Sequence, residues 1–186
     1  MAILPIVTYN DPILLERTES VKENSDELQE LIDDMFETMY NAAGVGLAAP
    51  QIGQKLQLFV MDADPMTEDS DQLDLGPMVM INPEIVSTGG ELVGYEEGCL
   101  SIPEVRDEVR RPERVELKWL NREFEERQQE FTGWVSRVIQ HEYDHLQGKL
   151  FLDHLSAFRR RLHRKKLSTI DAGDLPCNYP LVPRQT

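Results

Sequence analysis

An α+β fold is predicted for this 186-residue chain from three observations. Apolar residues recur at helical spacing early and again late in the chain. Runs of strand-forming residues lie between those two segments. The order is helix, several strands, then helices, and not an alternation of strand and helix.

The first helix is expected over 26–43, where Leu28, Leu31, Ile32, Met35, Phe36 and Met39 fall three and four residues apart. Asn24 or Ser25 stands where a cap belongs, Glu27 lies in the first turn, and Gly44 can end the helix. The run 56–63 reads as a buried strand, 62–76 as an acidic surface loop, and 78–86 as the next strand. From 114, Val115, Leu117 and Trp119 alternate inward with the two-residue period of a half-exposed strand. "NRE" (121–123) supplies a turn, and another strand is expected to begin at Phe124. Helical spacing returns over 134–146, with Thr132 as cap and Gly148 as stop. A last helix is expected over 156–167. The remainder, 168–186, with three prolines and no periodicity, is expected to be a tail beyond a single domain spanning 1–167.

The formal charge of −15 comes from 34 acidic against 19 basic residues, which argues against broad binding to nucleic acid or anionic membrane. The one basic block is "FRRRLHRKKL", residues 158–167. Cys99 and Cys177 are too few for a disulfide framework. With no basic leader and no apolar run near the roughly 18 residues of a membrane span, a cytoplasmic protein with reduced thiols is expected.

The chemistry starts at "VIQHEYDHLQG", which holds His141-Glu142-Tyr143-Asp144-His145, an H-E-x-x-H. Residues four apart share a helix face, so His141 and His145 can aim at one ion, with Glu142 placed to take a proton from a water there. The pattern arises by chance on the order of once in a hundred chains of this length or less. A catalytic site needs a third protein ligand and an open position. The extended protease pattern would place histidine at 151, where Phe151 stands, and no glutamate follows Glu142. His154 and His163 have no recognised spacing. Upstream, "EEGCLSIPE" offers Cys99, which alone reads as a small buried residue and becomes a candidate thiolate ligand beside an incomplete two-histidine site. "GVGLAAPQIG" (44–53) brings backbone close to something and carries Gln51, a neutral N–H donor. Taken alone, it is a helix end running into a tight turn.

In this order and with these separations, "GVGLAAPQIG", "EEGCLSIPE" and "QHEYDHLQG" resemble the three signature motifs of the bacterial peptide deformylases. The resemblance extends over about residues 3–167 and implies antiparallel β-sheets packed around a central helix carrying HExxH, with an N-terminal and a C-terminal helix. It implies Cys99, His141 and His145 as metal ligands, Glu142 as general base and then acid, and the Gln51 amide and Leu100 N–H as donors to the formyl oxygen. It further implies formate release from N-formyl-methionyl peptides. The ion would be Fe²⁺ in the cell, with Zn²⁺, Ni²⁺ or Co²⁺ possible in purified protein. Val45, Glu97 and Gly98 would lie near the methionine pocket, and Gly44 and Gly46 would offer backbone groups to an extended peptide. Trp134 and Val138 share the His141 side of the helix and read either as pocket or as core. Asp144 is expected to pair with an arginine after Cys99, Arg111 among Arg106, Arg110 and Arg111, tying the ligand strand to the metal helix. The basic helix 158–167 is a candidate contact for ribosomal RNA. Rival readings are a metallopeptidase, a catalytically silent binding protein of the same fold, and a closed structural metal site.

Overall fold

A computed structural model describes residues 1–67 and 75–182. The chain begins with β1 (Ile6–Val7) and a 3₁₀ turn at Pro12–Leu15, then enters α1 (Asp26–Asn41). Ser25 caps that helix, its Oγ accepting from Leu28 N at 3.2 Å. Leu28, Ile32, Met35 and Met39 form its buried stripe, packed on Leu47, Leu58 and Val60. Those partners lie in β2 (Gly46–Ala48) and β3 (Leu58–Met61). Of the loop expected over 62–76, Asp64–Thr67 forms a short helical turn, α2, and residues 68–74 lie outside the described residues.

β2 and β3 continue into β4 (Met78–Cys99), β5 (Ile102–Leu120) and β6 (Glu126–Phe131), an antiparallel sheet in the order β2-β3-β4-β5-β6. The β4–β5 hairpin is far longer than the strands expected at 78–86 and from 114. Glycines at 89, 90, 94 and 98 and prolines at 103 and 112 hide the rest of it. A second reason is chemical. Val105, Asp107, Val109 and Arg111 alternate inward as a strand should, but two of those buried positions are charged, so apolar periodicity misses them. The strand expected from Phe124 starts at Glu126, because Phe124 adopts a left-handed φ of 62° and closes the preceding turn.

α3 (Gly133–Leu146) runs through the middle of the molecule, packing Val135, Val138, Ile139 and Leu146 against Phe59, Met80, Leu117 and Trp119. Gly148 ends this segment as expected, with φ 72°, and a Cβ there would lie 2.6 Å from the Leu15 carbonyl oxygen. Only glycine meets both conditions.

The single helix expected over 156–167 is two, α4 (Ala157–Leu162) and α5 (Arg164–Ala172), broken at His163. The Asp107 carboxylate reaches out from β5 to the break, pairing with His163 Nε2 at 2.8 Å and with the Arg159 guanidinium. The boundary expected at 167 therefore falls inside α5, and the tail beyond it is partly ordered. Gly173 (φ 73°) ends α5, and the chain returns so that β7 (Leu181–Val182) pairs in parallel with β1, Ile6 opposite Leu181 and Val7 opposite Val182. A two-residue strand is too short to show a period. No helix among the described residues is long and apolar enough to cross a membrane.

Burial of Asp107 acts to raise its pKa, but bonds from Arg159, His163 and the Glu108 amide prevail and hold it below the ordinary carboxylate value. A depressed native pKa stabilises the fold above the unfolded pKa, and that contribution is lost as pH falls through the native one. Asp107→Asn should lower Tm near neutral pH by about 2–4 °C, for a net loss of about 1 kcal/mol. The difference from wild type should shrink in calorimetry as pH drops below about 4.

Candidate metal centre and active site

Cys99 ends β4 at the tip of the long hairpin, and Leu100–Ser101 turn the chain into β5. α3 lies across that tip and presents His141 and His145, one turn apart on one face. The ligating atoms of Cys99, His141 and His145 lie within 4.8 Å of one another. Cys99 Sγ stands 3.4 Å from His145 Nε2. Tetrahedral donors with ordinary metal–sulfur and metal–imidazole bond lengths would be separated by roughly 3.5 Å. One thiolate and two imidazoles therefore fit a divalent first-row ion, and the group offers three protein ligands, the number a catalytic site keeps.

The orientation of His141 follows from what lies behind it. Its Nδ1 is 2.8 Å from Glu97 Oε1. Burial would raise the Glu97 pKa, but bonds from His141 and Arg111 reverse this and hold it far below the usual carboxylate range. An ionised carboxylate only accepts, so Nδ1 carries the hydrogen and Nε2 keeps its lone pair for a ligand. Burial pushes the His145 pKa down to about 3, which keeps that imidazole neutral. His145 Nδ1 has no partner among the described residues.

Arg111 grips Glu97 with two bonds, Nε to Oε2 at 2.8 Å and Nη2 to Oε1 at 3.0 Å, and donates from Nη1 to Asp144 Oδ2 at 2.7 Å. The pairing expected for Asp144 is thus with Arg111, and it joins β5 to α3. Arg106 and Arg110 turn elsewhere, to Glu96 and to the Leu92 carbonyl. Arg137, one turn before His141, also donates to Glu97 Oε2 at 2.9 Å and to the carbonyls of Val109 and Val93. His154 sits 2.7 Å from Asp144. Sequence reasoning missed Arg137 and left His154 without a role. An arginine one helical turn from a metal histidine, on the buried side of its helix, was the available signal for the former.

Glu142 is buried, its Oε2 has no partner among the described residues, and burial raises its pKa to about 7. It stands against the backbone of Gly46, where a Cβ would lie 2.7 Å from Glu142 Cδ. Gln51 is fixed by accepting from Ala48 N at 2.9 Å, which aims its Nε2 at Ser101 Oγ (3.2 Å) and Cys99 Sγ (3.4 Å). Gly44 packs on Leu100, where a Cβ would come 2.8 Å from Leu100 Cδ1.

These groups open on one cleft of about 670 Å³, lined also by Val45, Glu97, Gly98, Trp134 and Val138. Among these, the Glu97 carboxylate is engaged by His141 and the two arginines. Val138 belongs to the core as well as to the cleft, and Trp134 stacks at 4.3 Å on Tyr95. Pro176–Tyr179 line the same cleft, a contribution no motif announced.

The family model for polypeptide deformylase matches residues 3–161. The chain belongs to the polypeptide deformylase family. A peptide deformylase of Salinibacter ruber is 52% identical over 184 residues, covering 97% of this chain and 94% of the relative. The crystal structure of the Ehrlichia chaffeensis peptide deformylase superposes with a TM-score of 0.86 at 38% identity, over 94% of this chain and 100% of that one. Its complex with actinonin gives 0.84 at 37%, over 95% and 100%. The chain is a formyl-removing hydrolase of that family with a candidate metal site at Cys99, His141 and His145.

Outer partners of a metal-bound histidine typically contribute about 10- to 100-fold in affinity. Glu97→Gln should weaken metal retention by about that factor in competition with a chromophoric chelator. Asp144→Asn, one residue further out, should weaken it less.

Proposed function

We propose that this deformylase acts on the formyl group of formyl-methionyl nascent peptides, with Cys99, His141 and His145 holding one divalent ion. The observation that carries this is the buried carboxyl of Glu142, whose Oε2 has no hydrogen-bond partner among the described residues, beside three converging ligand atoms. When bound, the ion supplies Lewis acidity and makes water a stronger nucleophile at neutral pH. Glu142 takes the proton of the attacking water, aided by a pKa near neutrality. The water oxygen bonds to the formyl carbon, the C–N bond breaks, and Glu142 returns the proton to the leaving amine. The products are formate and a free amino terminus. Gln51 Nε2 and the Leu100 backbone N–H hold the formyl oxygen as charge develops on it.

The ion we assign is Fe²⁺ in the cell, with Zn²⁺, Ni²⁺ or Co²⁺ able to replace it in purified protein. Support comes from the family resemblance and from a donor set that accepts several first-row metals. Gly44 and Gly46 would pair with the extended peptide, and Val45, Gly98, Trp134 and Val138 would surround the methionine side chain. A cytoplasmic site of action, beside the ribosome, follows from such a substrate. In the basic block Arg159 binds Asp107 and Lys166 binds the Glu104 carbonyl, leaving Arg160, Arg161, Arg164 and Lys165 exposed for a ribosomal RNA contact.

A metallopeptidase would cleave unformylated chains, and a silent binding protein would release no formate. Anaerobically purified, metal-quantified enzyme should release formate from a formyl-Met tripeptide, leave unformylated casein intact and be blocked by actinonin. Glu142→Gln should retain its metal and lose about 10²–10⁴ in kcat. No formate from fully loaded wild type would refute the assignment. Gly46→Ala should also lower kcat at unchanged metal content, because the added methyl displaces the Glu142 carboxyl.

A further inference from the structure

The C-terminal segment past α5 is held by β7 against β1, and its residues Pro176–Tyr179 form one side of the cleft. Within it, Tyr179 OH donates a 2.8 Å hydrogen bond to the carbonyl oxygen of Leu100, the residue after the ligand Cys99. The Leu100 turn makes few ladder bonds of its own, because the β4–β5 register shifts between Gly98 and Cys99. Among the described residues, the turn is also tied by Tyr9 N to the Ser101 carbonyl (3.0 Å) and by Gln51 Nε2 to Ser101 Oγ (3.2 Å). Tyr179 is thus the hydrogen-bonding side chain that fixes Leu100 itself, from a segment more than 70 residues away in sequence. Leu100 is also one of the two proposed donors to the formyl oxygen, and such a donor works only when held at the right place before charge develops.

We propose that Tyr179 is a positioning residue for the deformylation reaction, orienting the Leu100 N–H from the C-terminal strap. The inference rests on the Leu100 role proposed above. Tyr179→Phe keeps the ring and removes only the hydroxyl. In Zn²⁺-loaded, ¹⁵N-labelled protein, the Leu100 and Ser101 amide resonances should move. In the loaded enzyme, kcat per bound metal should fall about three- to tenfold on a formyl-Met tripeptide, with KM changed less than about twofold. Asp171→Ala removes the acceptor of the bonds from Tyr9 OH and Asn10 Nδ2 without touching Leu100, and should lower Tm while leaving kcat per metal intact. Unmoved amide resonances would overturn the inference directly. Moved resonances with full kcat per metal would show that the hydroxyl's hold on the turn does not serve the reaction, and the positioning role would fall while the Leu100 donor role stood. A loss confined to Tm or metal content would make Tyr179 purely structural and overturn it as well.

Discussion

Glu97 is a carboxylate with 5% of its surface exposed, and the site is organised around keeping it ionised there. An unpaired charge at that depth would cost several kcal/mol, and breaking a buried pair typically costs about 3–5 kcal/mol. Two guanidiniums and an imidazole N–H meet that cost, Arg111 from β5 and Arg137 and His141 from α3. Asp144, bound to Arg111, adds a second negative charge, so the cluster of Glu97, Asp144, Arg111 and Arg137 is neutral as a whole. One network therefore joins β4, β5 and α3, sets the His141 tautomer and fixes the angle at which the helix crosses the hairpin tip.

Burial acts in the same direction on Glu142, but there Oε2 has no hydrogen-bond partner among the described residues, and the pKa rises to about 7. Two glutamates thus flank His141 in contrasting states, one locked as an anion and one poised to exchange a proton. Divergent environments of this kind separate a supporting carboxylate from a catalytic one without any change of residue type. Gly46 contributes by lacking a side chain, since it lets the carboxyl stand against the β2 backbone.

Local features of the site were legible in the sequence, and long-range ones were not. His141, Glu142 and His145 share one helical face, so spacing alone identified them. Cys99 was ambiguous as a residue and became specific only through motif order, because its approach to His145 is made by the hairpin. The hairpin itself was underestimated where Asp107 and Arg111 occupy inward positions, since a polarity pattern treats buried charges as surface. Both are inward because each has a partner waiting: Asp107 has Arg159 and His163, and Arg111 has Glu97 and Asp144. The C-terminal strap was unreadable for another reason. Its order comes from two ladder residues and a tyrosine hydroxyl, none of which leaves a periodic trace.

Hairpin tips ordinarily fray, having few neighbours and open backbone groups. Here the tip carries Cys99, and two segments distant from it in sequence bind the turn that follows. The N-terminal segment donates Tyr9 N to the Ser101 carbonyl, and the C-terminal strap donates Tyr179 OH to the Leu100 carbonyl. β1 and β7, which adjoin these two segments, pair with each other. The turn that follows the ligand cysteine is thus tied to segments far from it in sequence on both sides, while the ligands on α3 are held by the Glu97 network.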